Sequence, residues 1–97
     1  MIKIKYNKNS IKVSGHANFN QNGNDIVCAS VSSIIYTTIN GILNINSDAI
    51  DYSDEVVLII TVKSDDDITN KLIKNMITLL KELALQYPKN IMISKGE

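Results

Sequence analysis

Ile2, Ile4 and Tyr6 alternate with Lys3 and Lys5, and after the turn formers Asn7 to Ser10 the alternation resumes at Ile11 and Val13. A period of two places successive side chains on opposite faces of a strand, so this opening predicts a β-hairpin with one apolar face. The stretch from Ser14 to Asn24 is polar apart from Ala17 and Phe19, and its composition predicts a mobile loop. From Asp25 to about Leu43 the spacing changes. Val27, Val31, Ile34, Ile35, Ile39 and Ile42 recur at helical intervals, with Ser30, Ser33, Thr37 and Asn40 on the opposite stripe. A solvated helix face ordinarily carries Lys and Glu, so this small, uncharged stripe predicts a central helix that is largely covered. Gly41 weakens its last turn.

Ala49 to Tyr52 reads as a short strand, Ser53-Asp54-Glu55 as a turn, and Val56 to Val62 as a strong strand. Five consecutive apolar residues from Val56 to Ile60 predict burial on both faces. Two helices over one face would leave the other bare, so a second subunit is expected to cover part of it, giving a homodimer. Ser64 followed by Asp65, Asp66 and Asp67 caps a second helix, whose predicted inward stripe is Ile68, Leu72, Met76, Leu79, Leu80, Leu83 and Tyr87. Pro88 stops it, and Ile91 and Ile93 make a closing strand. The expected fold is a small two-layer α/β domain spanning 1–97, in the order strand-strand-helix-strand-strand-helix-strand, with no linker or internal repeat. Its strand order stays open.

Ninety-seven residues hold one core but not two. The ten basic side chains, all Lys, cancel ten acidic ones, so no net field draws the chain toward nucleic acid or an anionic membrane. Without Arg there is no bidentate reading of phosphate or guanine, and direct nucleic-acid binding is not expected. Met1 to Ile4 already alternates like a strand, with no long apolar run behind it, so neither a signal peptide nor a membrane span is expected. The single cysteine, Cys28, cannot form an internal disulfide, which fits a reducing cytoplasm.

Cys28 and the only histidine, His16, are the chemically pointed residues. A helix starting at Asn24 or Asp25 places Cys28 in its first turn, where the positive end of the dipole favours an anion such as a thiolate. That effect is about 0.3–1 kcal/mol, below the 1.36 kcal/mol of one pKa unit, so the helix alone leaves a thiol of ordinary pKa near 8.5 mostly protonated. A histidine partner is needed. His16 has the chemistry to take the thiol proton and later protonate a leaving amine. Twelve residues extended span roughly 40 Å, so the loop must fold back for the two to meet.

Asp25, three residues before Cys28, shares its helix face. It either orients the His16 ring or serves as an ordinary first-turn acid. Phe19 either contacts a substrate or anchors the loop. Backbone N–H groups around Cys28 are suited to form an oxyanion hole. A zinc site lacks ligands beyond His16 and Cys28, and helix capping accounts for Asp65-Asp66-Asp67 better than a cation site does.

At Gly15-His16-Ala17 and at Gly23-Asn24-Asp25-Ile26-Val27-Cys28-Ala29-Ser30-Val31-Ser32 the chain resembles the ribosomal-processing cysteine protease family, Prp. The family pattern is Gly-His-Ala, a short variable loop, then Gly-x-Asp-x-Val-Cys-Ala-Ala-Val-Ser; Ser30 stands where Ala is usual. The resemblance implies a bacterial endopeptidase that removes the short N-terminal extension of a large-subunit ribosomal protein. It implies Cys28 as nucleophile, His16 as general base and acid and Asp25 in support; apart from the resemblance, Phe19 and Gly23 in the loop are substrate-contact candidates. It also implies a homodimer, a loop that moves when substrate enters, and no metal or organic cofactor. The competing reading is a non-enzymatic ribosome-associated interaction module in which Cys28 is simply core. A thiol redox sensor is a third, weakened by the lack of a resolving cysteine.

Overall fold

In the computed structural model, which describes residues 1–15 and 25–96, the hairpin forms as its alternation requires. β1 (Ile2–Tyr6) and β2 (Ser10–Ser14) pair antiparallel, with Lys3 opposite Ser14 and Tyr6 opposite Ile11. The Asn7 side-chain oxygen accepts from the backbone N–H groups of Asn9 and Ser10, both at 2.8 Å, and so closes the turn. The chain continues through α1 (Asp25–Ile45), β3 (Ile50–Asp54), β4 (Leu58–Val62), α2 (Asp67–Gln86) and β5 (Ile91–Lys95), in the predicted order.

The strands form one open sheet in the order β3-β4-β2-β1-β5, with β5 parallel to β1 and the other neighbours antiparallel. Ile2, Ile4, Ile11, Val13, Leu58, Ile60 and Ile91 point to the helical side. There they join Val31, Ile35, Ile39 and Ile42 of α1 and Met76, Ile77 and Leu80 of α2 in a single core. The helix from Ile26 to Ile45 has the length and mean hydropathy (1.7) of a membrane-crossing segment. Its apolar stripe is nevertheless used up in that core, with Val31, Ile35, Ile39 and Ile42 each 1 % exposed or less.

Three expectations are corrected. α1 is covered on one side only: Ser33, Thr37 and Asn40 are exposed, because the single chain stacks nothing on that face. β4 begins at Leu58 rather than Val56 and is not buried on both faces. β3 runs on to Asp54, which pairs with Leu58, so Glu55 to Val57 become the connection and Val56 is 84 % exposed. With both helices on one side, Ile59 and Thr61 look out from an open face. The inward stripe of α2 is also rotated. Asp66 is the N-cap and accepts from the Thr69 N–H at 3.0 Å, while the Thr69 hydroxyl donates to the same carboxylate. Thr69 is thereby satisfied and buried, whereas Ile68 and Leu79 are 52 % and 38 % exposed. The open sheet face is bare in the single chain, as the expectation of a covering second subunit supposed, with Val57 and Ile59 half-buried on it.

Candidate active site

α1 starts at Asp25, so Cys28 is the fourth helical residue and lies in the first turn. It is 6 % exposed and belongs to the same buried cluster as Val27, Val31, Ile2 and Val13. The helix end favours a thiolate and apolar burial disfavours it. Ser30 donates its hydroxyl to the Ile26 carbonyl at 2.8 Å, so its replacement of the usual Ala is absorbed by the helix backbone.

His16, Phe19 and Gly23 lie outside the described residues, and Asp25 is placed as the opening residue of α1. What the structure does settle is the base from which His16 departs. Ser14 ends β2 opposite Lys3, and Gly15 follows with φ +85°. A Cβ on Gly15 would fall 2.3 Å from the Met1 carbonyl oxygen and 3.5 Å from the Ile2 Cα. Only glycine tolerates both the left-handed conformation and that contact, so the residue before His16 is held against the start of β1.

At the same end of the sheet, Asp54 closes β3 opposite Leu58, and Leu58 faces Val13, two residues before Gly15. Tyr36 on α1 donates its hydroxyl to the Asp54 carboxylate. Burial first, then the hydrogen bond and negative charge of Asp54, push the Tyr36 hydroxyl up to about 12. The Tyr52 ring meets Tyr36 edge-on, 6.2 Å between centroids at 79°. This link ties the helix carrying Cys28 to the edge strand β3. Sequence reasoning had no hold on it, because the residues are 18 apart and neither breaks a local pattern.

The acidic run divides its carboxylates among separate partners: Asp66 caps α2, Asp65 accepts from the Asn70 side chain at 3.2 Å, and Asp67 pairs with Lys71 at 3.1 Å. Among the described residues no three His, Cys, Asp or Glu side chains converge as a metal site would require.

A family model described as cysteine protease Prp matches residues 1–92. The chain is similar to the ribosomal processing cysteine protease Prp of Mycoplasma genitalium, 36 % identical over 98 aligned positions that cover 98 % of this chain and 96 % of the relative. It also superposes on the essential ribosomal processing protease Prp from S. aureus, crystallised in complex with a substrate peptide. The TM-score is 0.89 at 21 % identity, over 99 % of this chain and 100 % of that one. A second crystal structure of the S. aureus protease, in complex with a covalently linked product peptide, gives a TM-score of 0.88 at 22 % identity, with the same coverage.

Proposed function

Because this chain belongs to the cysteine protease Prp family, we propose that it removes the short N-terminal extension of a large-subunit ribosomal protein, using Cys28 as nucleophile. The chain is a cysteine protease, a hydrolase, and the alternative of a non-enzymatic module gives way to that membership. The observation that carries the residue assignment is the seat of Cys28 in the first turn of α1, with Gly15 anchoring the approach of His16 at the neighbouring strand end. The product peptide covalently linked to the S. aureus protease supports nucleophilic catalysis of this type.

In the proposed cycle His16 takes the Cys28 proton, and the sulfur adds to the scissile carbonyl carbon. Backbone N–H groups at the start of α1 steady the resulting oxyanion. The tetrahedral intermediate collapses to a thioester as His16 returns its proton to the leaving amine. Water, deprotonated by His16, then attacks the thioester, releases the carboxylate and regenerates the thiol. Asp25 supports His16, and Phe19 and Gly23 contact the peptide. The site works in the cytoplasm, where a single thiol stays reduced.

A homodimer completes this reading. α1 carries no charge after Asp25, and its exposed stripe of Ser33, Thr37 and Asn40, flanked by Ile26 (68 % exposed) and Ile45 (59 % exposed), suits a second copy better than water. Sedimentation at micromolar concentration should give twice the chain mass, and a monomer there counts against the dimer.

The function is tested by the intact mass of the extended ribosomal protein before and after incubation. The wild type should shorten it once near its N-terminus, and Cys28→Ala or His16→Ala should leave it whole. Normal cutting by Cys28→Ala would remove the assigned nucleophile.

A further inference from the structure

The neutral total conceals an uneven distribution. Lys3, Lys5 and Lys12 all stand on the uncovered face of the sheet, on the inner strands β1 and β2. Lys5 lies directly opposite Lys12, and Lys3 precedes Lys5 by one pleat. Residues facing each other across an antiparallel pair have Cβ atoms about 4.5–5.5 Å apart, and like charges there destabilise the sheet. The ion pairs among the described residues join Lys63 to Asp51 and Lys71 to Asp67, so neither relieves the three. Asp51, the carboxylate this face presents on β3, is thus already engaged. A groove of about 350 Å³ runs along the face between Lys3, Lys5, Lys12, Ser14, Met92 and Ser94. It shares Lys5 and Lys12 with a recess of about 520 Å³ at the far strand ends, which Ser10 and Asn7 also line.

We propose that this open face binds the phosphate backbone of RNA, as a surface separate from the catalytic end. An acidic peptide in strand form would add at an edge, β3 or β5, and miss the inner strands. A second copy would set these lysines against one another. A polyanion laid across the face neutralises all three at once, and Ser14 and Ser94 offer hydroxyls to phosphate oxygens. The absence of Arg prevents bidentate base reading but not point-charge contact with phosphate, so binding is independent of sequence. The stripe begins where Lys3 faces Ser14, two residues before His16, and leads away from that end toward Lys5 and Lys12. The choice of RNA rests on the proposed ribosomal substrate: a protease docked on ribosomal RNA meets its protein substrate at raised local concentration.

The experiment is fluorescence anisotropy of a labelled oligouridine of about 20 nucleotides titrated with the full chain at about 50 and 200 mM salt, alongside cleavage of a free extension peptide. Three phosphate contacts on a single strand give a log–log salt slope of about −2, so the wild type should weaken about 20-fold between the two salts. Lys3→Gln/Lys5→Gln/Lys12→Gln together should lower affinity at the lower salt at least about tenfold and flatten the slope by about 2, while cutting the free peptide like the wild type. Lys71→Gln/Lys74→Gln/Lys89→Gln, which leaves the Lys63–Asp51 pair intact, should bind RNA as the wild type does. No wild-type binding at the lower salt, an unchanged triple variant, or equal affinity for polyglutamate would each overturn the proposal. Lost peptide cleavage with intact RNA binding would instead count against the proposed protease substrate.

Discussion

The Gly15→Ala substitution would set a Cβ 2.3 Å from the Met1 carbonyl oxygen, at a residue whose φ is +85°. Two costs add. An L-residue in the left-handed region costs about 1–2 kcal/mol. The clash is with main chain on both sides, so no side chain can rotate away, and forced displacement of packed atoms costs about 1–3 kcal/mol. The sum is about 2–5 kcal/mol, and for a domain of this size each kcal/mol lowers the melting temperature by about 4–8 °C. A drop of about 8–40 °C is therefore expected in thermal unfolding followed by circular dichroism. On the proposed role of His16, the residue that follows Gly15 in sequence, displacement by about 1 Å should also lower kcat about 100-fold at a temperature where both proteins are folded. Gly41→Ala is the internal control. Nothing lies within 4 Å of its added Cβ, and it sits inside α1, so it should stabilise by about 0.5–1 kcal/mol. A Gly15→Ala protein melting within about 3 °C of the wild type, or a Gly41→Ala protein falling as far as Gly15→Ala, would refute the reasoning.

Ile35, 1 % exposed at the middle of α1, should cost about 2–5 kcal/mol when changed to Ala. Val56→Ala, at a position 84 % exposed, should stay within about 0.5 kcal/mol, both variants being read by urea titration. Tyr36 titrates at about 12 in the fold against 10 unfolded. Its contribution is complete below pH 10 and disappears as the pH climbs through 12, and Tyr36→Phe should remove that part of the alkaline decline in the urea midpoint. Asp66 is held at about 2 rather than 3.8, first by the Ser64 hydroxyl and then by the Thr69 N–H and hydroxyl. Its contribution is present above pH 3.8 and lost as the pH falls through 2. Asp66→Ala should melt lower at about pH 6 with a flatter acid limb, and Asp66→Asn, which keeps a capping oxygen, should lose less there.

Much of the architecture was legible because it is written in local periods. Alternation placed Ile2, Ile4, Ile11 and Val13 on one face and the lysines on the other, and the spacing of Val27, Val31, Ile35, Ile39 and Ile42 described one side of α1. The seat of Cys28 was readable for the same reason: a polar stretch giving way to helical spacing marks a helix start. Reading failed where a neighbour far along the chain decides, or where a polar group is satisfied by its own cap. Apolar identity alone put Ile68 inward, but the Asp66 cap and the buried, hydrogen-bonded Thr69 set the rotation of α2. Val56 matched a strand and became a connection because Asp54 had already paired with Leu58.

By itself the sequence determined the succession of elements, the apolar face of each hairpin strand, the thiol at a helix start and the glycine-histidine step that precedes the loop. Only the tertiary structure decided the strand order, the parallel addition of β5 to β1, the Tyr36–Asp54 link, the clash that makes Gly15 obligatory, and the gathering of Lys3, Lys5 and Lys12 on an uncovered face. A side-chain period constrains residues a few positions apart, whereas pairing partners and helix rotation follow from burial summed over the whole chain, which no single segment encodes.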